Sequence, residues 1–148
     1  MFDPGKFFGM LRGAGYGASE PKPRASWAIL ARRQEGTMLT RTAIYEGTVR
    51  DGREEEFFGR VRDELEPLWR RFPGVTAVRV QRLLSKDPDA RPIAMILEMD
   101  FSDQQALDAC LASSIRPESH AATQAVMRLF EGRFYHLVSE ATVLTPAA

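Results

Sequence analysis

The stretch VTAVRVQRLLSKDPDARPIAMILEMDF, residues 75–101, decides the fold. Its first ten residues, 75–84, are rich in valine and leucine, and residues 93–101 alternate between large apolar side chains and smaller or acidic ones. Both patterns predict β-strands. The hydrophilic segment between them contains two prolines, which predicts a turn. Two strands joined in this way predict an antiparallel hairpin.

A strand and an amphipathic helix precede this hairpin. Residues 40–49 (TRTAIYEGTV) are rich in β-branched and aromatic side chains and predict the first strand. In residues 54–72 apolar side chains recur at steps of three and four, which predicts one face of an α-helix. Pro67 lies inside this pattern, and we expect it to kink or loosen the helix because it lacks an N–H group.

Helical segments and a last strand follow the hairpin. Ser102 and Gln105 have the spacing of a capping box, which predicts a helix beginning there. This helix breaks before Pro117, which can open a second helical piece at its first turn. Residues 133–141 (RFYHLVSEA) predict the last strand. The order β-α-β-β-α-β predicts an α+β, ferredoxin-like fold, in which an antiparallel four-stranded sheet carries the helices on one face.

The composition narrows the class of protein. The 148 residues fit one domain, and 44% hydrophobic with 27% charged residues are typical of a soluble globular chain. The formal net charge of zero gives no basis for nucleic acid or a membrane surface as a partner. No apolar run approaches the ~20 residues of a transmembrane helix. The single cysteine excludes an intrachain disulfide, so the cytoplasm is the expected location.

The first 37 residues differ in character from the rest. They are rich in Gly, Pro, Ser and Arg without a sustained period, which predicts a disordered extension before a domain spanning residues 38–148. Residues 34–37, directly before Met38, can be encoded by a purine-rich sequence that would serve as a ribosome-binding site. An alternative hypothesis is therefore that translation starts at Met38.

The open face of the predicted sheet needs a cover, because its side chains are a mixture of apolar and titratable groups. If the methionines of residues 93–101 pack on the helices, alternation places Glu98 on the open side. On the last strand we expect Leu137 to pack on the helices, which leaves Phe134 and His136 on the open face. For the first two strands, the pattern does not decide which of the two alternating sets of side chains faces the helices.

Residues 38–141 resemble the EthD-like proteins of the dimeric α+β barrel superfamily. The resemblance rests on the element order, on FFGRVRDELEPLWRRFPGV (57–75) and on LDACLASSIRPESHAATQAVMRLFEGRFYHLVSEA (107–141). It implies a homodimer in which two sheets pair face to face around a lumen that binds small hydrophobic molecules. Distant relatives ligate haem through a histidine, so the resemblance leaves a haem-binding barrel as a further alternative, although no cofactor is expected.

The candidate site combines titratable groups with aromatic and apolar ones around this lumen. The catalytic candidates are His136, Glu46 and Glu98. The ligand-binding candidates are Tyr45, Arg79, Ile96 and Phe134. His136 comes first, because an imidazole can act near neutral pH as a general base or a hydrogen-bond donor. The alternative is a hydrogen-bonded interface histidine without chemistry.

Three further residues are given structural roles. We expect His120 at the surface or as a local cap, Cys110 as a small buried hydrophobe, and Trp69 in the core. No metal site is expected, because the two histidines lie on different elements without a cysteine or histidine cluster.

Three functions are compatible with these features. One is a cofactor-independent enzyme that acts on a small hydrophobic, aromatic or carbonyl substrate by acid–base chemistry. The second is a non-catalytic dimer that binds a hydrophobic metabolite. The third is a purely structural dimer. A titratable group beside a cavity of roughly 300 Å³ or more would favour the enzyme.

Overall fold

A computed structural model describes residues 38–144 and 146–147 of the chain. The expectations for residues 1–37 and for a start at Met38 lie outside the described residues. The four strands are β1 (Met38–Val49), β2 (Val75–Arg82), β3 (Ile93–Phe101) and β4 (Phe130–Ala141). They form one antiparallel sheet in the order β2-β3-β1-β4, which confirms the predicted ferredoxin-like fold.

The first helical region is interrupted where Pro67 predicts a disturbance. It consists of α1 (Glu54–Arg60), a π-helical segment (Val61–Leu65) and α2 (Glu66–Trp69). Proline at the start of α2 has no N–H to donate, and its ring clashes with the carbonyl of the preceding turn. A π-helical insertion is one way to absorb this mismatch, so the helix continues instead of ending. Phe57, Val61 and Leu65 still face the core, as the spacing predicts.

The second helical region breaks near the predicted position. It consists of α3 (Gln104–Ala112), α4 (Ile115–Val126) and a 3-10 turn (Met127–Leu129). The cap of α3 differs from the prediction: the carboxylate of Asp103, one residue after Ser102, accepts a bond of 2.8 Å from the Ala106 N–H. Aspartate has the same capping geometry as serine and adds a negative charge at the positive end of the helix.

Two glycines allow β1 and β4 to pair along their full length. Gly47 and Gly132 are direct cross-strand partners, with φ of 143° and 147°. A Cβ on either residue would lie 2.8 Å from the Cα of the other and would also collide with a backbone carbonyl. Glycine is therefore required at both positions. The pairing they permit fixes which side chains of β4 face the helices.

The core lies between the helices and one face of the sheet. Met95, Leu97 and Met99 of β3 are buried there, as predicted. The register pairs Leu97 with Ala43 and Met95 with Tyr45, so these two residues of β1 also face the helices. The opposite, open face carries Thr42, Ile44 and Glu46 of β1 and Arg79 and Gln81 of β2. The sequence had left open which side chains of these two strands lie on this face.

The prediction of which β4 side chains face the helices is wrong. His136 is the partner of Ala43, and Phe134 is the partner of Tyr45, so both side chains point to the helices. Leu137 lies on the open face with half of its surface exposed (51%). The error arises because both phases of this strand are mixtures of apolar and polar residues. Pairing with β1 decides between them.

Candidate functional site

A cavity of about 850 Å³ lies between the sheet and the second helical region. Its floor is the helix-facing side of β1, β3 and β4, and its wall includes the break between α3 and α4. Its lining includes Arg41, Tyr45, Trp69, Arg116, His120, Thr123, Phe134 and His136.

The sheet divides the predicted site residues into two groups. Tyr45, Phe134 and His136 line the cavity. The other four, Glu46, Arg79, Ile96 and Glu98, lie on the open face. The seven side chains therefore do not form one site, since they project from opposite faces of the sheet. The roles predicted for the individual residues stay predictions.

Aromatic rings form one side of the cavity. The Phe134 ring stacks on Tyr45, with centroids 5.5 Å apart, and makes an edge contact with His136 at 5.6 Å. His120, expected at the surface or as a cap, is exposed and lies 6.4 Å from the same Phe134 ring. This wall offers both faces and edges to a planar ligand.

The charged groups around the cavity are all basic. Arg41 and Arg116 line it together with the two histidines, and no aspartate or glutamate is among the described lining residues. Arg41 lies on β1 in phase with the buried residues Ala43 and Tyr45, so its charge is placed above the core. Among the described residues, no hydrogen bond and no acidic side chain stabilises its guanidinium. Burial lowers the pKa of Arg41, which reflects a cation held without a countercharge.

The environment keeps His136 neutral. Its side chain is nevertheless exposed to solvent. Surrounding protein atoms, and then the positive charges of Arg41 and Arg116, lower the pKa of His136 to about 4. At neutral pH the imidazole is therefore unprotonated and can accept a hydrogen bond.

Tyr45 stays protonated beside it. Burial raises the pKa of Tyr45 to about 12, with opposing effects from the Thr123 hydroxyl and Arg41. A phenol with this pKa donates a hydrogen bond but does not act as a base near neutral pH.

The titratable groups on the open face bond to one another. The Arg79 guanidinium donates to Glu98 at 2.9 Å and to the buried carboxylate of Asp100, also at 2.9 Å. Asp100 accepts a further bond from the Thr40 hydroxyl. Arg79, followed by Thr40, holds the pKa of Asp100 below its usual range despite burial. These bonds fit a structural role.

Glu46 is similarly occupied. It accepts bonds from Arg91 at 3.0 Å and from the Tyr135 hydroxyl at 3.1 Å. Arg91 is the main cause of the lowered pKa of Glu46, with a smaller contribution from Tyr135. A carboxylate stabilised in its charged form is a weak base.

Arg41 and Arg116 are the site residues that the sequence reasoning missed. The signal for Arg41 was an arginine in phase with Ala43 and Tyr45 on one strand. The signal for Arg116 was its place in the helix break. Trp69 is 2% exposed, as expected of a core residue, and it also contributes to the cavity wall.

Cys110 is buried, as predicted, and burial raises the pKa of its thiol. In the part of the chain that the structure describes, no three His, Cys, Asp or Glu side chains are grouped to hold a metal ion. Among the same residues, no helix combines the length and apolar character required to span a membrane.

Comparison with known proteins supports the fold. No protein-family model and no curated protein matches the chain. An EthD family protein from Bacillus halodurans matches with a TM-score of 0.56 at 20% identity, covering 71% of this chain and 99% of that one. A DABB family protein with a ferredoxin-like fold from Mesorhizobium loti matches with a TM-score of 0.53 at 16% identity, covering 76% and 99%.

A dimeric ferredoxin-like protein of unknown function from Thermobifida fusca matches with a TM-score of 0.50 at 13% identity, covering 72% and 93%. At these identities the matches concern the fold. They confirm that this chain has the fold of an EthD family protein and of other ferredoxin-like α+β proteins, as the resemblance implied.

Proposed function

We propose that this protein is a dimeric α+β barrel that binds a small hydrophobic or aromatic molecule in the cavity between sheet and helices. The observation that carries the proposal is the cavity itself. Its volume of about 850 Å³ lies in the range of small-molecule sites. Aromatic walls and a few convergent polar groups are also typical of such sites.

The chemistry we propose is proton transfer at a carbon next to a carbonyl group. His136 is unprotonated and exposed, so it can accept the proton, and the negative charge that forms on the ligand favours its protonated form. The positive charge of Arg41 would stabilise the negative charge that develops on the carbonyl oxygen, and the Tyr45 hydroxyl would donate a hydrogen bond to it. No step requires a metal or an organic cofactor.

The proposed dimer covers the open face of the sheet. Ile44 and Ile96 are cross-strand partners there, and Leu137 is half exposed beside them. Two copies of this face, packed around a two-fold axis, would bury these side chains. The structural neighbour from Thermobifida fusca is described as dimeric, which supports a dimer here. We expect a buried area of at least ~1,000 Å² in total.

The test uses 2-acetylnaphthalene as a probe substrate. We expect the protein to accelerate exchange of its methyl hydrogens in D2O, followed by NMR, and His136→Gln to remove the acceleration. Binding is measured in a Trp27→Phe background, where Trp69 remains as the only tryptophan and reports on the cavity. Quenching of Trp69 without exchange would favour the non-catalytic metabolite-binding dimer. If neither exchange nor quenching were observed, the proposed function would be contradicted.

A further inference from the structure

The cavity has an excess of positive charge that the proposed function leaves unexplained. Two arginines, Arg41 and Arg116, line it, and none of its described lining residues is acidic. Many other arginines of the described residues are paired, for example Arg79 with Asp100, Arg50 with Glu131 and Arg60 with Glu64. Two cations without a countercharge repel each other, so their placement in one cavity favours a ligand that brings a negative charge.

Arg41 is the more buried of the two arginines. It projects from β1 toward the helices, where the titratable groups near it are Cys110, Arg116 and Tyr45, and no described acidic side chain is among them. Burying a charge without a partner is unfavourable, and proteins usually pair such a group with an acid or a ligand. The planar guanidinium can bind both oxygens of a carboxylate at once.

The rim of the cavity adds to this positive potential. Arg116 donates one bond to the carbonyl of Leu111 at 3.3 Å, which leaves its other N–H groups available. Ser113 and Ser114 line the cavity at the beginning of α4, where the helix dipole favours an anion. These groups lie on the helical side of the cavity, across from Arg41 on the sheet.

We propose that the cavity recognises its hydrophobic ligand by an anionic group, a carboxylate or an enolate, bound to Arg41. This inference rests on the proposed function, because it requires the cavity to be the ligand site. The aromatic wall of Tyr45, Phe134 and Trp69 selects the apolar body of the ligand, and Arg41 selects its charge.

Strand geometry places His136 beside the bound anion. Arg41 is the cross-strand partner of Val138, and His136 lies two residues away on the same face. Such diagonal neighbours are roughly 7–8 Å apart, within reach of long side chains. A ligand held by Arg41 therefore presents the atoms next to its anionic group to the imidazole.

The test compares carboxylates with neutral amides of the same shape. Benzoate with benzamide and 2-naphthoate with 2-naphthamide are titrated by calorimetry into the whole protein. We expect each carboxylate to bind at least tenfold more tightly than its amide. Arg41→Met should abolish this difference and leave the affinity for the amides unchanged. Arg41→Lys should keep part of it.

The matched control is Arg62→Met, which removes the same charge from an exposed position on the first helical region. It should keep the full preference for carboxylates. Equal affinity for carboxylates and amides in the wild type, or a preference that survives Arg41→Met, would overturn the anion site while leaving the proposed function intact. Failure of both ligand classes to bind would overturn both.

Discussion

The two faces of the sheet treat their charged residues differently. On the open face, Arg79 and Asp100 bond to each other, and Glu46 bonds to Arg91 and Tyr135. On the helix face, Arg41 has no partner among the described residues, and His136 faces an open cavity. Paired charges contribute to the fold, whereas an unpaired charge beside a cavity is available to a ligand. This difference supports the proposed roles, in which the open face serves stability and assembly and the helix face binds the ligand.

The largest expected effect comes from breaking the pairing on the open face. Asp100→Ala removes a carboxylate that is 2% exposed and leaves Arg79 and Thr40 without their acceptor. We expect the free energy of unfolding to fall by about 3 kcal/mol. Urea denaturation measures this. The control is Glu98→Ala, whose more exposed bond to Arg79 should cost less than about 1 kcal/mol. Equal losses in the two variants would contradict a special role for Asp100.

Substitutions at two neighbouring residues of β4, His136 and Leu137, test the two faces of the sheet separately. His136→Ala should weaken binding of 2-naphthoate by about 1.4 kcal/mol, a factor of ten, without changing the dimer. Leu137→Ala should weaken the dimer and leave the affinity for 2-naphthoate unchanged. Calorimetry measures the first effect, and light scattering over a dilution series measures the second. If Leu137→Ala weakened ligand binding and His136→Ala weakened the dimer, the ligand would bind in the lumen between the sheets instead.

The pH dependence of stability tests the environment of His136. An unfolded chain binds a proton at this imidazole near pH 6.5, whereas the folded chain binds it only at about pH 4. Between these values the unfolded state carries more protons, so the free energy of unfolding falls as the pH falls from 6.5 toward 4. Since the side chain meets solvent, we expect this contribution to be about 1 kcal/mol. His136→Gln should lack it when urea midpoints at pH 4.5 and 7 are compared. An identical loss in both proteins would show that His136 titrates normally.

The smallest expected effect concerns Arg41. Arg41→Met replaces a partly buried, unpaired charge by an apolar side chain of similar length. We expect the free energy of unfolding to rise by up to about 1 kcal/mol in the absence of ligand. The same substitution at exposed Arg62 should change it by less than half of that. A clear loss of stability on Arg41→Met would mean that the guanidinium has a structural partner.

Sequence reasoning predicted the order of the elements and the face of β3, because the alternation over residues 93–101 is strong. It failed on β4, where both phases contain apolar and polar side chains. The informative residue was Phe130, which is buried and lies in phase with His136. Starting the strand at 133 instead of Phe130 discarded this signal. The cavity itself depends on how α3 and α4 meet over the sheet, and such tertiary geometry leaves no local pattern in the sequence.

A crystal structure of the protein with 2-naphthoate would show whether the ligand lies between the helices and the sheet. We expect the naphthalene ring against Phe134 and Trp69, with the carboxylate on the Arg41 guanidinium and His136 beside it. A ligand bound on the open face, against Ile96 and Leu137 between two paired sheets, would contradict this expectation.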